Sequence, residues 1–243
     1  MLRSVQSMRH YALGAKDDEV GTVHDFLFDS ETWKVRYLVA DTGKWLPGRK
    51  VLIAATAVDK PNWEAQLIPI ELTKEQVRNS PDIEVDKPVS RQKEIELHKY
   101  YGWIPYWGAG YGGVAPAPPP QPITEPAETE AKGDPNLRSC REVKGYHLHA
   151  TEGEIGHVDD FIVDDEGWSV RYLVVDTRNW LPGKDVLISP QWVGEISWEQ
   201  REVYVDLTKE TVKHSPTYDP SAPVNREYET RLYDYYGRPK YWV

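Results

Sequence analysis

The stretch VRYLVADTGKWLPGRKVLI, residues 35–53, recurs as VRYLVVDTRNWLPGKDVLI at residues 170–188. Outward from these two passages, a shift of 135 residues aligns 2–107 with 137–242 without a gap, and about half of the paired positions are identical. LRS at 2–4 meets LRS at 137–139, and LTKE at 72–75 meets LTKE at 207–210. Two repeats of this length are too long and too few for a solenoid. They mark a duplicated domain, residues 1–107 and 136–243, joined by residues 108–135. That joining stretch, GAGYGGVAPAPPPQPITEPAETEAKGDP, is rich in Gly and Pro and acidic at its end, the composition of a partly extended tether.

Each copy reads mostly as short strands. Val20 to Asp29 and Val35 to Asp41, with Ile155 to Asp164 and Val170 to Asp176, are rich in β-branched and aromatic residues. DSET at 29–32 and DDEG at 164–167 stand between them as hairpin turns, and Gly167 is suited to positive φ. Further strands are expected at 50–53, 57–59 and 66–71, with counterparts at 185–188, 192–194 and 202–206. The spacing Thr73 to Gln76 predicts a capping box, and Pro81 ends what it starts. A second helix begins at Ser90 in the first copy and at Asn225 in the second, and stops at Gly102 and Gly237. The expected fold is all-β: two small antiparallel β-barrels, each followed by short α-helices and an aromatic tail.

The run Gly21 to Phe26 (G-x-V-x-D-F, repeated at Gly156 to Phe161), followed by V-R-Y-L-V-x-D-T, W-L-P-G-[RK] and V-L-I, resembles the PRC-barrel family. The LTKE segment and the Tyr-Tyr-Gly tail resemble those of bacterial tandem PRC-barrel proteins. The resemblance implies a PRC-type barrel in each copy. The family includes the cytoplasmic domain of the photosynthetic reaction-centre H subunit and a domain of a ribosome-maturation factor. It therefore implies docking onto other macromolecules, with a photosynthetic or membrane-associated complex among the candidates. The chain lacks the H subunit's membrane-spanning helix, for no run approaches the ~18 apolar residues a span needs.

Composition narrows the function further. The net charge is -10, with 15 basic and 16 acidic residues in 1–107 and 13 against 19 in 136–243. Neither half carries the basic stripe that phosphate neutralisation requires, so nucleic acid is not the expected partner. One cysteine, Cys140, permits no internal disulfide, and a reducing cytoplasm is the expected setting. No membrane insertion and no cofactor are expected.

Duplication also offers a test for chemistry, because an inherited active site should recur at the 135-residue offset. None of the seven histidines does. His147 and His149, at i and i+2 on a strand, are the one candidate pair of metal ligands, with surface histidines the favoured reading and His157 assigned to the opposite face. Asp25 with Arg36 and Asp160 with Arg171 are expected as cross-strand ion pairs. Cys140 aligns with Val5 and reads as a small buried hydrophobe. No catalytic set is assigned, and the chain is read as a non-enzyme.

Aromatics carry the sharper signal. Trp45, Leu46 and Pro47, and their counterparts Trp180, Leu181 and Pro182, place large apolar groups in a loop. They either plug their own barrel or form an exposed patch. The tails raise the same question through Tyr100, Tyr101 and Trp107, and through Tyr235, Tyr236 and Trp242. The favoured function is a non-catalytic tandem binding protein that docks to a protein partner, with the barrels paired within the chain or in a homodimer. The alternative is a small-molecule or metal-binding barrel using the second copy's histidines.

Overall fold

A computed structural model describes residues 1–43, 45–81, 89–107, 136–178 and 184–242, the Gln92 side chain excepted. The tether 108–135 and the triad Trp180, Leu181 and Pro182 lie outside these residues. In chain order the first copy runs β1 (Leu2–Ser4), α1 (Val5–Met8), β2 (Ala12–Gly14), β3 (Glu19–Asp29), β4 (Val35–Asp41), β5 (Lys50–Ala54), β6 (Leu67–Pro69), α2 (Lys74–Arg78) and α3 (Arg91–Tyr101). The second runs β7 (Leu137–Ser139), α4 (Cys140–Val143), β8 (His147–Ala150), β9 (Gly153–Asp164), β10 (Ser169–Asp176), β11 (Asp185–Ile188), β12 (Val193–Ser197), β13 (Glu202–Val205), α5 (Lys209–His214) and α6 (Arg226–Tyr236).

The family motif has a steric cause. Gly21 takes φ 131° and Gly156 φ 138°, where the carbonyls of Asp41 and Asp176 pass so close that a Cβ would lie 2.0 Å from either oxygen. Only glycine fits there. Farther along, Asp29 closes the hairpin: its Oδ1 accepts from the Glu31 amide (3.0 Å) and the Thr32 amide (2.8 Å). Positive φ, expected at Gly167, falls instead on Trp168 (46°) and its counterpart Trp33 (57°). Each indole stacks on a phenylalanine, Trp33 on Phe28 at 5.2 Å and Trp168 on Phe26 at 6.1 Å, which offsets the strain.

The copies are not separate beads. One edge of β3 is shared: β2 pairs with its first half and β7, from the other copy, with its last three residues. The same holds for β9, flanked by β8 and then by β1. Each LRS strand thus completes the other copy's sheet. The hairpin ends meet as well, with the Val35 amide donating to the Trp168 carbonyl (2.7 Å) and the Val170 amide to that of Trp33 (2.8 Å). Beneath these bonds lies one continuous core. Val5 and Met8 of α1, Cys140 and Val143 of α4, and the contact of Phe28 with Phe161 (5.7 Å) join both halves. Full burial of each such side chain is worth about 1.5–3 kcal/mol.

The expectation of two small antiparallel barrels needs correction. The molecule is mostly β, but its two sheets are mixed and open. Their hydrogen-bonded orders are β5-β4-β3-β2-β6 and β11-β10-β9-β8-β13-β12, with parallel pairing of β2 to β6 and of β8 to β13. After β5 the chain crosses a short 3₁₀ turn, Ala55–Ala57, and a further loop before β6 arrives running the same way as β2. The edge of β3 beyond β2 is already occupied by β7. Residues 57–59, read as a strand, contribute only an isolated bridge from Val58 to Ile70. No described helix is long and apolar enough to cross a membrane.

Candidate functional site

The helical tails fold onto their own sheets. In the first copy, the Ser90 hydroxyl caps α3 at the Lys93 amide (3.3 Å), and Gly102 (φ 71°) ends it in the left-handed region. That register turns Glu94, 0% exposed, toward the sheet. Its carboxylate accepts from the phenols of Tyr37 (2.9 Å) and Tyr106 (2.6 Å) and lies 2.9 Å from the Arg91 guanidinium. Arg91 in turn rests 4.5 Å from the Trp107 ring centre, and Arg36 4.0 Å from that of Tyr106. The second copy repeats every part. Glu229 accepts from Tyr172 (2.8 Å) and Tyr241 (2.7 Å) and pairs with Arg226 (3.0 Å), while Arg226 covers Trp242 and Arg171 covers Tyr241, each at 4.2 Å.

Burial, followed by the nearby carboxylates, pushes the Tyr37, Tyr106, Tyr172 and Tyr241 hydroxyls far above the phenol range, so all four remain donors at any physiological pH. A buried carboxylate with this many donors is satisfied rather than reactive. Sequence reasoning missed both clasps. The signal was present, since Tyr37, Arg91, Glu94 and Tyr106 all recur at the 135-residue offset.

One member differs between copies. His98, 5% exposed, has its Nε2 2.8 Å from the Tyr37 hydroxyl, whereas Tyr233 stands at the equivalent position. Burial holds the His98 imidazole below its ordinary range, against the raising effect of the Trp103 and Ile104 backbone.

Trp45 and Leu46 are half-buried and Pro47 is exposed. The Trp45 indole turns inward, donating to the Val20 carbonyl (3.0 Å), with Lys74 and Arg78 over its ring. The basic residue after the WLPG motif caps the following helix: Arg49 reaches the Arg78 and Ser80 carbonyls, and Lys184 those of Lys213 and Ser215, both at 2.6 Å. In the tails, Tyr101, Trp107 and Trp242 are half-buried and Tyr236 is buried. Tyr100 and Tyr235 are 40% and 39% exposed, their hydroxyls bonded to the Gln76 and Thr211 carbonyls. Ile104 is 90% exposed.

The expected ion pairs of Asp25 with Arg36 and of Asp160 with Arg171 do not form. Asp25 stands opposite Val39: the hairpin loop is wide enough to set Phe28 opposite Val35, and a bulge at Arg36, between Tyr37 and Val35, moves the register by one more position. Arg36 turns back to Asp29 (3.0 Å), and Arg171, at the matching bulge, to Asp164 (2.8 Å). Asp25 and Asp160 instead receive the hydroxyls of Ser139 and Ser4, each from the exchanged strand of the other copy. Arg9 also approaches Asp25, at 3.6 Å.

His147 and His149 do not converge on a common ligand position. His147 bonds Glu154 (2.9 Å), while His149 stacks on Tyr204 and lies 3.5 Å from Glu202. His157, assigned to the opposite face, pairs directly with His147, because a bulge at Leu148/His149 shifts the register. Among the described residues no cluster of His, Cys, Asp or Glu could hold a metal. Cys140 is fully buried and its thiol is raised well above its usual value, first by burial and then by Asp25 and Asp160.

The PRC-barrel domain model matches residues 12–79 and 136–212, so the chain belongs to the PRC-barrel family, twice over. An uncharacterised protein of Deinococcus radiodurans is 31% identical over 83 residues, covering 33% of this chain and 29% of that relative. This chain therefore spans under a third of the relative that it matches.

Proposed function

We propose that the chain is a non-catalytic docking module of the cytoplasm, in which two PRC units hold their tails at a fixed spacing for a protein partner. The observation that carries this reading is the reciprocal exchange of β1 and β7, by which each half supplies a strand to the other's sheet. The buried carboxylates at the tails are spent on structure, and the apolar groups left outside are Ile104 and Tyr100 on the first tail and Tyr235 on the second. Membership in a family that the resemblance ties to docking supports the same view. The WLPG loop is the weaker docking surface, since Trp45 is engaged with its own sheet.

Affinity capture from the native cell, beside an Ile104→Asp/Tyr235→Asp chain, tests it. A defined set of proteins retained by the parent and lost by the variant supports docking at the tails. Equal retention by both would reject that surface. The resemblance to the reaction-centre H subunit makes a membrane complex the first partner to look for.

A further inference from the structure

Between α3 and the tail that folds back on it lies a cavity of about 480 Å³. Its walls are Ile95, Trp103, Pro105 and Trp107, with His98 among them and Lys99 at its edge. The volume is in the range of small-molecule sites, and the lining is the usual one: apolar and aromatic surface with few polar groups. The aromatic rings are set around the imidazole, with Trp107 4.6 Å and Trp103 5.7 Å from His98, both edge-on. Lys99 is exposed and the only cation in the lining.

The second copy supplies an internal comparison. Its residues at these positions are Thr230 for Ile95, Tyr233 for His98, Asp234 for Lys99, Arg238 for Trp103 and Lys240 for Pro105. There Asp234 and Lys240 join helix to tail by an ion pair (2.8 Å), and Arg238 is drawn off to Asp206. The first copy has a smaller ring at the floor, a proline in the tail that cannot pair, and a cation in place of the acid. The Glu94 carboxylate with its two phenols and its arginine is common to both copies, while His98 bonds Tyr37 and Trp103 stacks on Tyr101 at 4.2 Å in the first copy only.

We propose that this cavity binds a small aromatic carboxylate, its flat ring lodged between Trp103 and Trp107 and its carboxylate on the Lys99 ammonium. An uncharged wall of indoles favours a planar apolar body. The exposed Lys99 cation selects the anionic head group, since the Arg91 guanidinium over Trp107 is already paired with Glu94. The site stands apart from the docking reading, as it needs no protein partner.

Calorimetric titration of the full chain with naphthoate and with the uncharged naphthamide tests the proposal. Naphthoate should bind at one site with Kd of roughly 1 mM or tighter, and the amide about threefold more weakly. Lys99→Gln, a change at an exposed position, should erase that difference between the two probes. The graft Ile95→Thr/His98→Tyr/Trp103→Arg, which copies the second half, should abolish binding of both. The proposal is overturned if naphthoate does not saturate the parent chain, or if the Lys99→Gln chain still prefers naphthoate. It is equally overturned if a folded graft binds as the parent does. Should the graft not fold, the Lys99 variant decides alone.

Discussion

The Ser4 hydroxyl donates to Asp160, and 135 positions later the Ser139 hydroxyl donates to Asp25. Each serine also caps the short helix that follows it, at the Ser7 amide (3.0 Å) and the Glu142 amide (3.1 Å). One hydroxyl thus fixes a strand, starts a helix and locks one copy to the other. At Asp25, which is buried, removing it takes away the hydroxyl donor and leaves the carboxylate with Arg9 at 3.6 Å. Ser139→Ala should lower stability by about 1–3 kcal/mol, the cost of leaving such a group short of its donor. Ser4→Ala should cost less, since Asp160 keeps the Gln6 amide (3.0 Å). Urea unfolding of both variants compares them.

Acidity separates two pairs of aspartates. Asp25 and Asp160 are raised above the ordinary 3.8, chiefly by burial and against the serine bonds. Their folded forms hold the proton more tightly than the unfolded chain does, so their contribution is full below 3.8 and is lost as pH rises through the folded value. Asp29 and Asp164 lie below 3.8: burial pushes them up, but bonds from the Thr32 amide and Arg36, and from Arg171 and the Glu166 amide, outweigh it. Their contribution is present above 3.8 and lost as pH falls through the folded value. As pH rises from 3.8 through the folded value, Asp25→Asn/Asp160→Asn should therefore gain on the parent. Asp29→Asn/Asp164→Asn should lose ground below that range, as pH rises from the folded value to 3.8. Denaturation midpoints across both ranges read both slopes.

Cutting the tether should not separate the halves. With an engineered protease site inside residues 108–135, the cleaved chain should still elute as one species and unfold in one transition. Cleavage removes only an effective concentration of about millimolar order, while the exchanged strands and the shared core remain. Size exclusion and calorimetry before and after cleavage check this.

Gly21→Ala and Gly156→Ala are each expected to cost about 3 kcal/mol or more, because the new methyl meets a backbone carbonyl that cannot retreat without breaking its sheet. Thermal unfolding should place both far below Gly43→Ala, where a Cβ meets nothing within 4 Å.

Tyr106→Phe and Tyr241→Phe each remove one donor from a buried carboxylate while keeping the ring beneath its arginine. A loss of about 1–3 kcal/mol is expected, as for a hydrogen bond to a charged group. Equal losses in the two copies, measured by urea unfolding, would mark the clasps as equivalent scaffolds.

Local features were legible wherever chemistry acts over a few residues. The capping box at Thr73 and Gln76 forms both of its bonds, and α3 and α6 start and stop at the residues expected. The strand exchange was not legible, for a physical reason. LRS is spelled identically at 2–4 and 137–139, so pairing β1 with its own copy or with the other buries the same side chains and forms the same ladder. What decides is the chain's path through α1 and α4, which no pairwise reading of letters contains. The bulges at Arg36 and Arg171 escaped similarly: each moves the register by one residue, and one residue exchanges every partner on the face. The cavity beside α3 lay in the differences between copies, whereas similarity was what the reading sought.

The crossed strands impose an order on synthesis. Leu2–Ser4 leaves the ribosome well before the edge that receives it, which belongs to β9, more than a hundred residues downstream. Until that hairpin emerges β1 stays unmatched, and the first sheet in turn waits for Leu137–Ser139 to cover β3. Neither half can mature alone on the growing chain. Contacts this distant in sequence also slow closure of the final structure. Duplication has thus turned two modules into a single folding event.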